Sequence, residues 1–500
     1  MAFAAKINDN AALVDAFFAM KGLHECCESD HFLKLRRNAP KNVKPGPGTR
    51  SLAKRRDRDR LAWRMKIESV TLSNFRAFVE PVELRLRPLT LLFGYNSAGK
   101  SALLRALPLI ADSLNSKEEA PWDLLSPAAR GAAFQDFLPD ISLSPSRKFS
   151  LKLRLLISEG NQTKTLLLSW VLLDLPELRR QVVERFEFKI EDEVRVEAEW
   201  KPEWARPDGT GPVRPGNRYS VTASGISALE TSLSFRGLLP DFESAGKVKS
   251  HPFSRIANFL SALRDEGPKV QWLSSVRRTP ERSMQWPGSP PSSLAPDGAG
   301  ASEVLAYDQL ARGSLLSEVS SWYEEHMGFR LKAPPGELIR LMVEPVAKPL
   351  VQVPLQDTGE GLIQVLPVLV AAARLRSTGH RLPRILAVEE PESHLHPRLH
   401  AALTEHFCRW ASLPDPPQIV IETHSENILL RVQIAIAEGT LSRDLVAVYW
   451  IRQDPEGRSR AELVKFDLQG RPLENWPPGV FHENLDQARK LLAARRDRQV

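Results

Sequence analysis

The stretch "LTLLFGYNSAGKSALLRALPLI", from Leu89 to Ile110, decides the fold. An apolar run, Leu89–Phe93, reads as a buried strand, and Ala102–Ile110 carries the apolar spacing of a helix. Between them Gly94, Tyr95, Asn96, Ser97, Ala98, Gly99, Lys100 and Ser101 fit G-x-x-x-x-G-K-[ST], with Ala102 opening the helix. The two glycines let the backbone turn so that its N–H groups face an anion. Lys100 is expected to reach β- and γ-phosphates, and the Ser101 hydroxyl to ligate Mg²⁺. The positive end of the following helix would point at the same phosphates.

Such a loop needs an acidic partner on a neighbouring strand. "RILAVEEPESHLHP" (384–397) supplies a short apolar strand ending in Glu389 and Glu390. Alternation sends these two carboxylates to different sides, so they need not share one task. Glu389 is expected beside the metal through water, and Glu390 as the general base that polarises the attacking water. About thirty residues on, "PQIVIETHSENILL" gives another buried strand ending at Thr423-His424-Ser425. A histidine at such a tip can donate to a γ-phosphate. The density of Glu389, Glu392, His394, His396 and His400 also admits a separate metal site, but the phosphate-loop context explains the carboxylates more economically.

The rest of the chain frames this core. Residues 1–64 hold 14 Lys and Arg against 7 Asp and Glu; taking these from totals of 68 and 61 leaves 54 of each, so the basic excess belongs to that segment. It is rich in Pro, Gly and basic residues, a composition too polar to fold alone, and is expected to be a disordered extension upstream of a natural start at Met65. A basic tail that touches nucleic acid is the alternative. Three cysteines make neither a disulfide framework nor a zinc pattern. No apolar run reaches the roughly 18–20 residues of a membrane span, and a cytoplasmic protein is expected. Strand signals dominate from about 146 to 235, helices mix with a Pro-rich loop over 250–345, and strands alternate with helices after 350, which predicts a parallel sheet.

With "KIESVTLSNFRAF", "GYNSAGKS", "DTGEGLIQVLPVLV", "EEPESHLHP", "ETHSENILLRV" and "WPPGVFHENLDQARKLL" in order, the chain from 65 to about 492 resembles ABC-type ATPases of the SMC/RecF/OLD-like group. Within them it resembles bacterial AAA-type ATPases with a DUF3696-like C-terminal segment. The resemblance implies an α/β P-loop NTPase of ABC-ATPase head type: a mixed sheet with a parallel core flanked by helices, an antiparallel β subdomain and a mixed α/β insertion. It implies half-heads at 65–145 and 346–460, an insertion at 146–345 and the DUF3696-like segment at 461–500. Glu389 matches Walker B, Glu390 the catalytic glutamate, His424 the switch histidine and Gln135 a Q-loop residue on the metal or the attacking water. Arg277, in "LSSVRRTPER", matches a family arginine of unassigned role. Asp357, Gly359 and Gly361 stand where the ABC signature faces a γ-phosphate across a dimer; relatives carry Ser at the position of Ile363.

The resemblance thus implies ATP and Mg²⁺ as cofactors and a homodimer or higher homo-oligomer closing on ATP. It further implies an effector such as a nuclease and DNA as partners, no membrane, and a role in DNA surveillance, repair or anti-phage defence. The alternatives are a self-sufficient ATP-regulated DNA endonuclease and an ATP-gated scaffold with little hydrolysis. After His424 only isolated aspartates occur (Asp444, Asp454, Asp467, Asp486), which argues against a paired-metal nuclease in this chain.

Overall fold

The structure, a computed structural model, describes residues 64–159, 162–191, 194–204, 213–214, 216–224, 226–242, 251–376, 384–476 and 489–491. The expected N-terminal extension, apart from Arg64, lies outside the described residues. So does most of "WPPGVFHENLDQARKLL".

The chain opens with strands β1 (Arg64–Ser73), β2 (Val82–Arg85) and β3 (Leu89–Gly94), then helix α1 (Lys100–Asn115). Six antiparallel strands follow: β4 (Lys148–Glu159), β5 (Gln162–Leu175), β6 (Arg180–Ile190), β7 (Val194–Trp200), β8 (Arg218–Ala223) and β9 (Ile226–Ser232). Next come α2 (His251–Glu266), β10 (Val270–Leu273), α3 (Ala301–Leu310), α4 (Leu315–Met327) and α5 (Glu360–Arg374). The last third supplies β11 (Ile385–Glu389), α6 (Pro397–Ala411), β12 (Gln418–Thr423), α7 (Glu426–Ala437), β13 (Val446–Gln453), β14 (Ser459–Phe466) and β15 (Pro472–Glu474).

Two large sheets result. The seven-stranded sheet runs β10-β11-β12-β3-β13-β14-β15, with the first five strands parallel and the last two antiparallel. β3, β11 and β12 are buried along their whole length, as parallel strands covered on both faces must be. Leu89, Leu91 and Phe93 share one core with Val388, Ile421 and the inner face of α5, and α1 packs on β10, β11 and β12. The fold is therefore that of an ABC-type P-loop ATPase head, as the sequence predicts.

The second sheet has eight strands in the order β9-β8-β7-β6-β5-β4-β1-β2. Burial alternates on β5: Leu166, Leu168, Trp170 and Leu172 are buried, while Leu167, Ser169, Val171 and Leu173 are half-buried on the face where β4 carries Lys152 and Arg154. β4 pairs with β1, so the β-rich stretch after 146 continues the sheet begun at residue 64. Likewise β10, from residues 270–273, edges the parallel sheet. The stretch expected as an insertion thus contributes strands to both sheets. The Gln418 side chain joins the sheets by bonding both the N–H (3.1 Å) and the carbonyl (2.6 Å) of Ile67, at a register shift in β1.

Candidate nucleotide site

The site forms at the carboxyl ends of β3, β11 and β12. β3 delivers Gly94 against β13, where a Cβ would sit 2.1 Å from the Ile451 carbonyl oxygen. That contact requires glycine. Ser97 (φ +62°) and Gly99 (φ +100°) adopt left-handed backbone, which curls the loop into an N–H-lined concavity. No acidic residue stands in the first turn of α1, so nothing competes with an anion for its N-terminus. Tyr95, Asn96 and Ser97 are exposed, and the Tyr95 ring meets Trp450 edge-on at 5.2 Å. Lys100 is 3% exposed and donates to the loop carbonyls of Gly94 (3.1 Å) and Tyr95 (2.8 Å). Burial lowers its pKa, against the opposing charges of Glu422, Glu390 and Glu392.

Glu390 stands in left-handed conformation (φ +42°) at the tip of β11. Its N–H donates to the Glu422 carbonyl (2.8 Å), and Ser393 Oγ donates to its carboxylate (3.0 Å). Arg277 braces the turn: its guanidinium donates to the carbonyls of Glu389 (2.5 Å) and Glu390 (3.1 Å). Burial brings its pKa down to about 10. Gln364, from α5, donates in turn to the Arg277 carbonyl (3.1 Å). His424 lies within electrostatic reach of Lys100 and Glu390, and burial lowers its pKa. Lys100, Glu390 and His424, remote in sequence, thus stand at the ends of neighbouring parallel strands and of the loop that follows β3.

Glu389 goes elsewhere. Its carboxylate takes two bonds from Arg105 (2.6 and 2.7 Å) and a third from Trp272 Nε1 (3.0 Å). The acid opposite Ser101 is Glu422, whose Oε1 accepts from Ser101 Oγ at 2.6 Å. Burial, opposed by that bond, raises the Glu422 pKa to about 7. Sequence reasoning missed Glu422 and Arg105. Period-two alternation from His424 back to residue 422, and a helical step of four from Ser101 to residue 105, were the available signals.

The remaining candidates are dispersed. Gln135 is exposed and makes no hydrogen bond to Ser101 or to either carboxylate among the described residues. Asp357 forms a two-point ion pair with Arg282 (2.7 and 2.8 Å). Gly359 precedes α5, whose first turn, with Glu360, is exposed, and Gly361 is half-buried there. Ile363 is 2% exposed and points into the core. The histidines have structural partners: His400 meets Ser425 Oγ (2.8 Å) and the Leu395 carbonyl (3.1 Å), and His396 caps α6. No group of three or more His, Cys, Asp or Glu could hold a metal ion among the described residues. No described helix is long and apolar enough to cross a membrane.

The loop and the strand order are those of the ABC-type P-loop ATPase head fold. Two family models match the chain. One, "AAA ATPase domain", spans residues 65–196. The other, "AAA domain, putative AbiEii toxin, Type IV TA system", spans residues 305–431. The first match carries the phosphate loop and the second the acidic strand and His424; each spans about a quarter of the chain, which is similar to AAA-type ATPases over those two segments. No match reports a DUF3696-type segment, and no curated protein matches the chain. Among solved structures, the SMC head domain from Thermotoga maritima is 11% identical, covering 80% of this chain and 99% of that one at a TM-score of 0.37. The recombination mediator protein RecF with ATP is 10% identical, covering 80% and 100% at 0.32. At that level of likeness nothing about function follows from them.

Proposed function

We propose that this chain binds ATP with Mg²⁺ and hydrolyses it. Glu390 acts as general base on the attacking water, and Lys100 and His424 stabilise charge on the γ-phosphate. The observation that supports this is the left-handed phosphate loop at the end of β3, beside the parallel strand ends that lead into Glu390 and His424. The residues suit magnesium: the donors around Ser101 are all oxygens, and one of them, Glu422 Oε2, is buried with no partner in the protein. The metal would neutralise phosphate charge there.

The exposed Gly359 and Glu360 at the start of α5 suit a second copy closing over the same nucleotide, so that hydrolysis opens and closes a dimer; Gly361 is half-buried there and Asp357 is paired with Arg282. Coupling of that switch to an effector in DNA surveillance, repair or defence is the reading the family resemblance favours. The test is ATP turnover and binding by the full chain. Lys100→Ala is expected to weaken ATP binding at least 100-fold. Glu390→Gln is expected to keep binding, lose turnover at least 100-fold and accumulate dimer in ATP. Wild-type turnover by Glu390→Gln would overturn the assignment of the base.

A further inference from the structure

Resting on the ATPase reading, we propose that Glu422, not Glu389, supplies the protein carboxylate of the magnesium site. Strand order supports it. β12 lies directly beside β3, and Glu422 stands across from Leu92; Glu389 is one strand further out, across from Glu422. Ser101 Oγ already points at Glu422 Oε1, 2.6 Å away. A metal on the Ser101 oxygen leaves that O–H bond intact and finds Glu422 Oε2 free. Magnesium asks for little more, since one or two protein oxygens, the phosphates and water complete its octahedron.

Glu389 is committed. Both of its oxygens are held by Arg105, and Trp272 holds one of them again. Its side chain is 2% exposed, so turning to a metal would break both bonds to the half-buried Arg105 guanidinium and the bond from Trp272. The two carboxylates divide the labour: Glu389 locks the strand end to α1, and Glu422 meets the ion. Glu422 stands near the end of β12 and His424 just beyond it, which ties metal and γ-phosphate sensing to a single element.

The experiment measures ATP affinity of the full chain without metal and with Mn²⁺ as the magnesium probe, and bound Mn²⁺ by electron paramagnetic resonance. Glu422→Gln is expected still to bind ATP without metal, and its metal-free affinity serves as the baseline for the gain. The affinity gained from Mn²⁺ is expected to fall at least ten-fold, with loss of the bound-Mn²⁺ signal. Glu422→Asp, which keeps the charge, is expected to retain part of the gain. Glu389→Gln is expected to keep the gain while lowering the unfolding midpoint. An undiminished gain in both Glu422 variants, or its loss in Glu389→Gln, overturns the assignment. Should the wild type bind no ATP in any condition, the ATPase reading falls and takes this one with it. If ATP binding depends on Lys100 but the Mn²⁺ gain ignores residue 422, only this inference falls.

Discussion

The two sheets handle charge in opposite ways. On the antiparallel sheet, Lys148–Glu184 (2.8 Å), Arg218–Glu230 (2.9 Å) and the Arg195 contacts with Glu187 and Glu197 lie on the solvent face. Water competes there, and each such pair contributes little. At the carboxyl edge of the parallel sheet, Glu389, Lys100, Glu422, Glu392 and Arg277 are buried together, with the half-buried Arg105 paired to Glu389. Desolvation of that group opposes folding and is offset only by close partners. Several atoms remain without one, among them Glu392 Oε2, Glu422 Oε2 and the Arg277 Nε and Nη1. A fold selected for stability alone would not retain them; their placement around the phosphate loop marks where stability yields to ligand chemistry.

Equivalent changes in the two regions should therefore differ in size. Arg105→Ala leaves Glu389 charged and buried and is expected to lower stability by about 3–5 kcal/mol in denaturant unfolding. An effect as small as that of a surface pair would erase the contrast. Ile363→Ser comes next. It installs the serine that the family resemblance implies at this position, yet the side chain lies in the core, so a loss of about 3 kcal/mol is expected, with turnover no higher than wild type. Trp272→Phe removes one donor from Glu389 and is expected to cost about 2 kcal/mol. On the antiparallel sheet Arg195→Ala should cost less than about 1 kcal/mol, and added salt should erase most of that.

A last effect, absent at neutral pH, is a pH dependence beside the parallel sheet. His406 stacks on Trp410 at 4.4 Å, and burial, helped by the charges of Arg409, His326 and Arg376, lowers its pKa to about 4 from 6.5. Below pH 6.5 the unfolded chain takes up the proton first. Its contribution is thus full above pH 6.5 and is lost as pH falls from 6.5 towards 4. Melting temperatures of His406→Phe across that window should fall less steeply than those of the wild type.

Much of the site was legible because its parts are local. A strand, a glycine loop and a helix within twenty-two residues declare the phosphate cradle, and strand tips declare Glu390 and His424. What stayed hidden is pairing at long range. β10 is four residues long, beside Gly267 and Pro268, and nothing in that span says that it edges the parallel sheet and hands Trp272 to Glu389. The division between Glu389 and Glu422 depends on which strand neighbours β3, a fact of topology that no short motif encodes.

That topology also bears on how the protein is made. β3 ends at Gly94, while the strands that flank it begin at Gln418 and Val446. During synthesis the phosphate loop is among the first pieces to leave the ribosome, and its floor is among the last. For most of translation an apolar strand with two open edges must wait, which predicts slow folding and a demand for chaperones while the nascent chain grows.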